Sequence, residues 1–310
     1  MILSFDRELT RLDVHANGTE LASIMGMDRD ERGERVHTYP RDKSMYVTSF
    51  DRPVLVTDSH RIAALGDEDP VLRDTVFALY GTGERITEYD GTRLAFVQEK
   101  YPGVWGPSID TVVLCRALEQ IDRGEVETAV EIGAGSGFVT RRLLERTPNL
   151  QRATMVDMNP TAIMACRDAV TDERARFHAG DGMEFLASHD ADLVICNPPY
   201  IPRPAAIGDN AYEGIGLIVD LIERAGDYLA PGGRLIINIS SLCMHIARRV
   251  LDEADADFRQ LDTLDVPLKV YNVLNNQRWL DHLLDSCNLV EERRRGYDYW
   301  QTLHILEVSP

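Results

Sequence analysis

From Val104 onward the sequence alternates short apolar runs with longer amphipathic segments, and this alternation constrains the fold more than any other feature. Short apolar runs bounded by glycine or proline indicate buried strands, and longer segments with helical periodicity indicate helices. Strands that alternate with helices predict parallel β-α-β units and therefore an α/β fold. The predicted strands are 127–132, 153–157, 175–178, 193–196, 234–239 and 302–307; the predicted helices are 138–146, 160–170, 217–229, 242–254 and 275–287.

The amino-terminal third does not follow this alternation. Its spacing predicts a helix over 6–25, strand-like runs around 45–57 and a helix over 69–80. Asp90-Gly91 lies between two further strand-like runs, and this dipeptide favours a hairpin because a type I′ turn needs positive φ at both central residues. We place a boundary near Gly103, which divides the chain into a smaller α+β domain (1–103) that ends in the hairpin and an α/β domain (104–310).

Composition narrows the class of partner and the compartment. The formal net charge is −18, which disfavours a nucleic-acid partner because phosphate binding draws its affinity from clustered cations. Arg293-Arg294-Arg295 is the one compact basic run, and we interpret it as a solvated turn. No apolar stretch approaches membrane-spanning length, the start lacks the order of a signal peptide, and five dispersed cysteines form no C-x-x-C pair. These features predict a cytoplasmic protein with reduced thiols, without a metal site or a membrane association.

A glycine-rich loop follows the first predicted strand of the α/β domain. Glu131 and Ile132 end the apolar run, and Gly133, Gly135 and Gly137 follow before the next helix. Glycine permits a tight turn and lets the backbone approach a ligand closely. The spacing G-x-G-x-G is one residue shorter than the dinucleotide fingerprint, so NAD is not the first choice.

Two acidic residues follow the next two strands. Asp157 closes the second strand, where a carboxylate grips the hydroxyls of a ribose. Asp181 closes the third strand, where it either accepts a hydrogen bond from an adenine amino group or favours a helix N-terminus as an ordinary helix carboxylate. Together with the glycine loop, these acids predict a nucleoside site along one edge of a parallel sheet.

The tetrapeptide Asn197-Pro198-Pro199-Tyr200 follows the fourth strand. The Asn197 side-chain oxygen and the Pro198 carbonyl make a pair of acceptors that suits a planar NH2 group. Tyr200 either stacks on that planar group or packs in the core. We therefore expect chemistry on an amide or an aromatic amine, with Asn197, Pro198 and Tyr200 as the catalytic residues.

With these features in place, residues 104–310 resemble a class I S-adenosylmethionine-dependent methyltransferase of the N-P-P-Y group, and most of all the HemK-type glutamine methyltransferases that modify release factors. The resemblance implies a Rossmann-like, mostly parallel seven-stranded sheet and S-adenosylmethionine as the cofactor. The first 80 residues and the stretch 258–273 depart from the family, and the latter resembles an insertion. Trp105 is interpreted as a core residue. The resemblance rests on 131–137, 157–160, 197–201, 212–214 with 229–233, and 103–111. The cofactor-binding residues that we expect are Pro107, Thr111, Glu131, Gly133, Gly135, Gly137, Asp157, Met158, Asp181, Gly182 and Asn197.

The acceptor stays open among several classes. The resemblance implies a glutamine amide in a protein, most of all a translation factor, and an acidic enzyme suits a basic protein substrate. The same tetrapeptide serves the amino groups of flipped nucleic-acid bases, which need a basic channel. A small-metabolite nitrogen and a cofactor-binding protein without turnover complete the alternatives.

Overall fold

The computed structural model describes residues 2–7, 11–16, 19–25, 45–49, 52–56, 84–97, 99–204, 214–268, 273, 276–294 and 297–310. The chain groups into two compact units. The first comprises Met1–Glu99 with Leu264–Thr302, and the second comprises Lys100–Thr263 with Leu303–Pro310. The boundary expected at Gly103, as a division between domains of different role, stays a prediction.

The first unit contains a five-stranded sheet with the order β3-β2-β1-β6-β7 and a separate β4-β5 pair. Strand β1 pairs with β6 in parallel and with β2 in antiparallel fashion. The strands are β1 (Ile2–Phe5), β2 (Arg11–Ala16), β3 (Thr19–Met25), β4 (Met45–Ser49), β5 (Arg52–Val56), β6 (Arg85–Tyr89) and β7 (Thr92–Phe96).

The β6-β7 hairpin confirms the turn expected at Asp90-Gly91. Asp90 and Gly91 both have positive φ, at 43° and 82°. Buried and exposed residues alternate along β7, so one face of the hairpin packs inward while the other meets solvent. The strands expected around 45–57 are also confirmed, as β4 and β5.

The prediction of a helix over 6–25 is wrong, because this segment contains the strands β2 and β3. These two strands pair in antiparallel register from Arg11 opposite Met25 to Ala16 opposite Thr19. The dipeptide Asn17-Gly18 separates them in the sequence, and Asn-Gly is the strongest short hairpin signal. The helix expected over 69–80 lies outside the described residues.

The predicted parallel sheet has the order β10-β9-β8-β11-β12-β15-β13, and β14 pairs with β15 beyond this path. Strands β8 to β12 belong to the second unit, whereas β14 and parts of β13 and β15 fall within Leu264–Thr302, which groups with the first. Strands β8 to β12 run parallel, and β15 is antiparallel to β12. The strands are β8 (Thr128–Ile132), β9 (Arg152–Asp157), β10 (Ala175–Ala179), β11 (Ala191–Cys196), β12 (Leu229–Ser240), β13 (Asp257–Pro267), β14 (Val290–Arg294) and β15 (Tyr297–Ser309).

Helices flank this sheet, which confirms the Rossmann-like α/β class. Most lie close to their expected bounds, although the expected helix 217–229 is divided in two and ends before β12. The helices are α1 (Ile109–Ala117), α2 (Phe138–Arg146), α3 (Pro160–Ala169), α4 (Gly182–Leu186), α5 (Gly216–Glu223), α6 (Ala225–Tyr228), α7 (Met244–Glu253) and α8 (Gln277–Ser286). Among the described helices, none is long and apolar enough to cross a membrane.

The stretch 258–273, expected to be an insertion, contributes a strand of the sheet. Strand β13 is the edge strand of this order and pairs with β15, which lies between β12 and β13. The buried guanidinium of Arg116 on α1 donates from Nε and Nη2 to the two carboxylate oxygens of Asp262 on β13, at 2.6 and 2.8 Å. The stretch therefore forms a strand of the sheet over Asp257–Pro267, and its status as an insertion relative to the family stays a prediction.

The parallel core is held in register at its amino-terminal edge by Asp192 on β11. Its Oδ2 accepts hydrogen bonds from the backbone N–H groups of Glu127 and Thr128, at 3.1 and 2.8 Å, and from the Thr128 hydroxyl at 2.9 Å. The strands β8, β9 and β11 that meet here are nearly free of exposed side chains along their length. Their opposite, carboxyl ends carry the polar loops.

Candidate functional site

The site lies where β8, β9 and β11 end. Ile132 is opposite Val156 and also opposite Cys196, so the three parallel strands end in register. The glycine loop, Asp157 and the tetrapeptide that starts at Asn197 therefore follow directly from one sheet edge. In open α/β sheets this carboxyl edge is where ligands bind.

The glycine loop takes a backbone path that only glycine accepts easily. Gly133, Gly135 and Gly137 all have left-handed φ, at 70°, 53° and 78°. A Cβ at Gly135 would lie 3.3 Å from the Trp105 carbonyl oxygen, whereas a Cβ at Gly133 would meet no heavy atom within 4 Å. Gly133 thus presents bare, exposed backbone at the sheet edge, and a ligand has room to approach it.

Asp157 ties this loop to the end of β9. Its Oδ2 accepts from the Gly135 N–H at 2.9 Å and its Oδ1 accepts from the Asn159 N–H at 2.8 Å. Burial raises the pKa of the Asp157 carboxyl, and the two N–H donors act in the opposite direction. Each carboxylate oxygen retains a further lone pair for ligand hydroxyls. Beside it, the Met158 side chain is 49% exposed.

Glu131, expected among the cofactor-binding residues, directs its carboxylate into the protein. Its Oε2 accepts from the Thr140 N–H at 3.1 Å and from the Thr140 hydroxyl. The side chain is 5% exposed, and burial raises the pKa of its carboxyl to about 8 against the ordinary 4.5. Glu131 therefore joins β8 to α2, and its role toward a cofactor stays a prediction.

Asp181 forms the N-cap of α4. Its Oδ1 accepts from the N–H groups of Met183 and Glu184, at 2.8 and 2.9 Å. Its Oδ2 makes no hydrogen bond to the residues that the structure describes. Gly182 packs against the end of β8, since a Cβ there would lie 2.5 Å from Ile132 Cγ2. One oxygen of Asp181 therefore caps the helix, which is one of the two interpretations expected for this residue. The other oxygen can still accept a hydrogen bond from a ligand.

The tetrapeptide after β11 belongs to a buried polar network. Asn197 Nδ2 donates to Asp110 Oδ2 at 3.1 Å, and Asn197 Oδ1 accepts from Asn238 Nδ2 at 2.8 Å. The Tyr200 hydroxyl contacts the same Asp110 oxygen at 3.5 Å, and its ring is 9% exposed. Tyr200 is thus buried with its hydroxyl directed at a carboxylate, and Pro198 beside it is also buried.

Asp110 and Asn238 were not expected at the site. Asp110 is 5% exposed on the first turn of α1 and also accepts from the Ser108 hydroxyl. Asn238 is fully buried in β12. A polar residue inside an otherwise apolar strand was the available signal for Asn238. Asp110 carried no such signal, because an acid in a first helical turn is ordinary.

The segment that leads into α1 lies against the glycine loop through its backbone. Pro107 is buried, and Thr111 Oγ1 accepts from the Ser108 N–H at 3.3 Å as part of the helix start. Trp105, interpreted as a core residue, is instead 59% exposed, and its backbone carbonyl oxygen lies beside Gly135. The cofactor roles expected for Pro107 and Thr111 stay predictions.

Some residues singled out in the sequence lie outside the described part of the chain, and others have a different secondary structure from the one expected. Tyr212 and Glu213, which the resemblance included, are outside it. Arg293 and Arg294 belong to β14, which corrects their interpretation as a turn. Within the described residues, no group of three or more His, Cys, Asp or Glu side chains has the arrangement of a metal site.

Comparisons with known proteins all identify methyltransferases. The model of the methyltransferase small domain family matches residues 103–262. A release factor glutamine methyltransferase from Moorella thermoacetica is 29% identical over 158 residues, which cover 45% of this chain and 56% of that protein. Another from Geobacter sulfurreducens is 30% identical over 155 residues, covering 44% and 54%. A ribosomal RNA large subunit methyltransferase G from Magnetococcus marinus is 28% identical over 157 residues, covering 48% and 39%.

Among solved structures, a precorrin-6y C5,15-methyltransferase from Geobacter metallireducens aligns with a TM-score of 0.42 and 14% identity, over 67% of this chain and 91% of that one. The chain spans about half the length of the curated release factor methyltransferases that it matches. The family match covers more than half of the 310 residues and includes the glycine loop, Asp157 and the Asn197 tetrapeptide. The chain belongs to the methyltransferase small domain family.

Proposed function

We propose that this chain is an S-adenosylmethionine-dependent N-methyltransferase that acts on a planar NH2 group, namely a glutamine side-chain amide in a cytoplasmic protein such as a translation factor. The observation that carries the proposal is Asn197 with Pro198 at the end of β11. This strand is parallel to β8 and in register with it, so the acceptor pair follows the same sheet edge as the glycine loop.

The sheet edge suits a nucleoside cofactor. Gly133 offers exposed backbone with no heavy atom in the position of a side chain, and Asp157 has free lone pairs for ribose hydroxyls. Asp181 Oδ2 is available for an amino group, and the half-exposed Met158 side chain offers an apolar contact. These four residues would hold the cofactor.

Asn197 and Pro198 provide the acceptor chemistry. When bound, the cofactor supplies an electrophilic methyl group on sulfur. One lone pair of the Asn197 side-chain oxygen accepts the hydrogen bond from Asn238. The second lone pair accepts a hydrogen bond from one N–H of the substrate NH2 group, and the Pro198 carbonyl accepts a hydrogen bond from the other. These contacts orient the nitrogen and stabilise the positive charge that develops on it. The nitrogen would gain the methyl group as the carbon–sulfur bond breaks and leaves a neutral thioether, and it would release one proton to solvent. A strong general base is unnecessary, because the nitrogen becomes strongly acidic as the new bond forms.

A protein acceptor is supported by two observations. The relatives include proteins named release factor glutamine methyltransferase and ribosomal protein uL3 glutamine methyltransferase. The net charge of −18 favours a basic protein over a polyanion.

A nucleic-acid base is the second candidate. It is supported by relatives named ribosomal RNA large subunit methyltransferase G and tRNA1(Val) (adenine(37)-N6)-methyltransferase. An amino group on adenine presents the same two N–H donors as an amide, so Asn197 and Pro198 serve either acceptor. The excess of 51 acidic over 33 basic residues disfavours this candidate.

The test is the transfer of a radiolabelled methyl group from S-adenosylmethionine into an extract that is separated into protein, nucleic-acid and small-molecule fractions. Label in a protein band, with methylglutamine found by mass spectrometry, supports the proposal. Label in RNA or DNA overturns the glutamine acceptor and favours the second candidate. Label confined to small molecules overturns both macromolecular acceptors.

Asn197→Ala tests the role of the acceptor pair. We expect turnover to fall by about a hundredfold, as for the loss of one group that stabilises a transition state, while the affinity for the cofactor changes little. Asn149→Ala is the matched control, because Asn149 is exposed and lies outside the site. Unchanged turnover in Asn197→Ala contradicts the mechanism.

A further inference from the structure

The Asn197 amide is held from both sides by buried side chains. Asp110 Oδ2 accepts from its nitrogen at 3.1 Å, and Asn238 donates to its oxygen at 2.8 Å. Asp110 is 5% exposed and Asn238 is fully buried, whereas Asn197 itself is partly exposed. The residue that faces solvent at the site is therefore held by two that do not.

The direction of these hydrogen bonds is fixed from the Asp110 end. Asp110 lies within reach of donors from Ser108, Asn197 and Tyr200, as an acceptor-only carboxylate requires. A rotation of the Asn197 amide by half a turn would bring its oxygen against the carboxylate. Its NH2 group must therefore face Asp110, and its oxygen must face Asn238.

The same constraint determines the orientation of Asn238. Because Asn197 presents an oxygen, Asn238 must present its NH2 group, and its own oxygen is turned away. That oxygen, Asn238 Oδ1, is buried and makes no hydrogen bond with the described residues. An unpaired buried acceptor lowers stability, and an apolar residue of similar shape would avoid that cost.

We propose that Asp110 and Asn238 are positioning residues that lock the Asn197 side chain with its oxygen as an acceptor, so that the site selects methyl acceptors that donate N–H groups. This inference rests on the proposed function and deepens it by naming what sets the polarity of the acceptor site. Neither residue touches the acceptor. Both act through Asn197, and the unpaired Asn238 oxygen is the cost of the arrangement.

An exchange of residues tests the Asp110 contact. In Asp110→Asn with Asn197→Asp, the carboxylate and the amide trade places, so a hydrogen bond of reversed direction forms and position 197 still accepts from Asn238. We expect each single variant to lose at least about tenfold in kcat and the double variant to regain about tenfold. Losses that simply multiply in the double variant overturn the proposal.

Asn238→Leu separates positioning from a structural role. Removal of an unpaired buried acceptor should leave the thermal midpoint unchanged or higher, whereas kcat should fall with little change in the affinity for S-adenosylmethionine. A lower thermal midpoint together with unchanged kcat overturns the positioning role.

A third measurement does not depend on turnover. In the full-length protein, hydrogen exchange of the Nδ2H2 groups of Asn197 and Asn238 should be slow, and Asp110→Asn should accelerate both. The Nδ2H2 group of the exposed Asn149 serves as the control within the same spectrum. If the chain methylates no acceptor, the proposed function fails, and this exchange still decides the orientation. Unchanged exchange at Asn238 overturns it.

Discussion

Replacement of Glu131 by glutamine should remove a pH dependence from the stability of the α/β unit. The Glu131 carboxyl is 5% exposed, and burial raises its pKa to about 8 even though Thr140 donates two hydrogen bonds to it. The nearby charge of Asp157 acts in the same direction as burial. At neutral pH the folded protein thus holds this side chain mostly as the neutral acid.

The sign and size of the effect follow from the two states. Below the ordinary pKa of 4.5 the group is protonated in both states, and well above pH 8 it is ionised in both. Between them the folded state keeps a proton that the unfolded state loses, so the free energy of unfolding falls as the pH rises. With a pKa of about 8 against 4.5, the decrease between pH 5 and pH 8 is about 3.5 kcal/mol.

The assay is urea denaturation of the wild-type protein and of Glu131→Gln at several pH values in this range. Because glutamine carries no ionisable group, the difference in unfolding free energy between the two proteins should change by about 3.5 kcal/mol from pH 5 to pH 8. Glu125→Gln is the control: it replaces an exposed glutamate and leaves Glu131 in place, so the wild-type profile should persist. A wild-type profile retained in Glu131→Gln refutes the assignment.

Two further predictions concern packing and register. Gly182→Ala should destabilise the protein by about 1–3 kcal/mol in thermal or urea denaturation, because its Cβ would overlap Ile132, whereas Gly216→Ala, with no heavy atom within 4 Å, should be nearly neutral. Equal stability of these two variants contradicts the packing argument. Asp192→Ala should cost about 2–3 kcal/mol, since it leaves two backbone N–H groups without their acceptor, and the exposed Asp190→Ala should change stability by under about 0.5 kcal/mol. A small effect at Asp192 would mean that water replaces the carboxylate at no cost.

The parallel core was predictable because its signals are local. Strand β8 was expected over 127–132 and is Thr128–Ile132, and α2 has the bounds that its periodicity predicts. Strands β8, β9 and β11 are mostly buried apolar runs; glycine follows β8, aspartate ends β9 and asparagine follows β11. Burial on both faces makes such runs continuous and easy to identify.

Strand β13 and the β2-β3 hairpin were not predicted, because the first has a weak strand pattern and the turn signal of the second was not used. Strand β13 mixes polar and apolar residues and pairs within the sheet only with β15, which comes 30 residues or more later in the sequence. Nothing local in the sequence identifies it as a strand. In the first unit, Asn17-Gly18 carried the same hairpin signal that was used at Asp90-Gly91, but the helical spacing of apolar residues over 6–25 competed with it.

At the site, the residues at strand ends were predictable and their supports were not. Asn197 follows an apolar run, and its tetrapeptide is distinctive. Asp110 lies 87 residues before Asn197 and Asn238 lies 41 residues after it, and each contact exists only because the sheet brings the segments together. A single sequence contains no periodicity that joins positions so far apart.

The place of β15 in the sheet has a consequence for synthesis. This strand lies between β12 and β13 in the strand order, yet the ribosome makes it after both. Until β15 emerges from the ribosome, each neighbouring strand exposes a row of unpaired backbone N–H and C=O groups. The mostly apolar carboxyl-terminal half of β12, which is buried in the folded protein, lies beside these groups. From the synthesis of β12 until β15 is complete, the nascent chain therefore carries an open strand edge, and such edges favour chaperone binding and aggregation. The sheet cannot be completed until β15 has been synthesised.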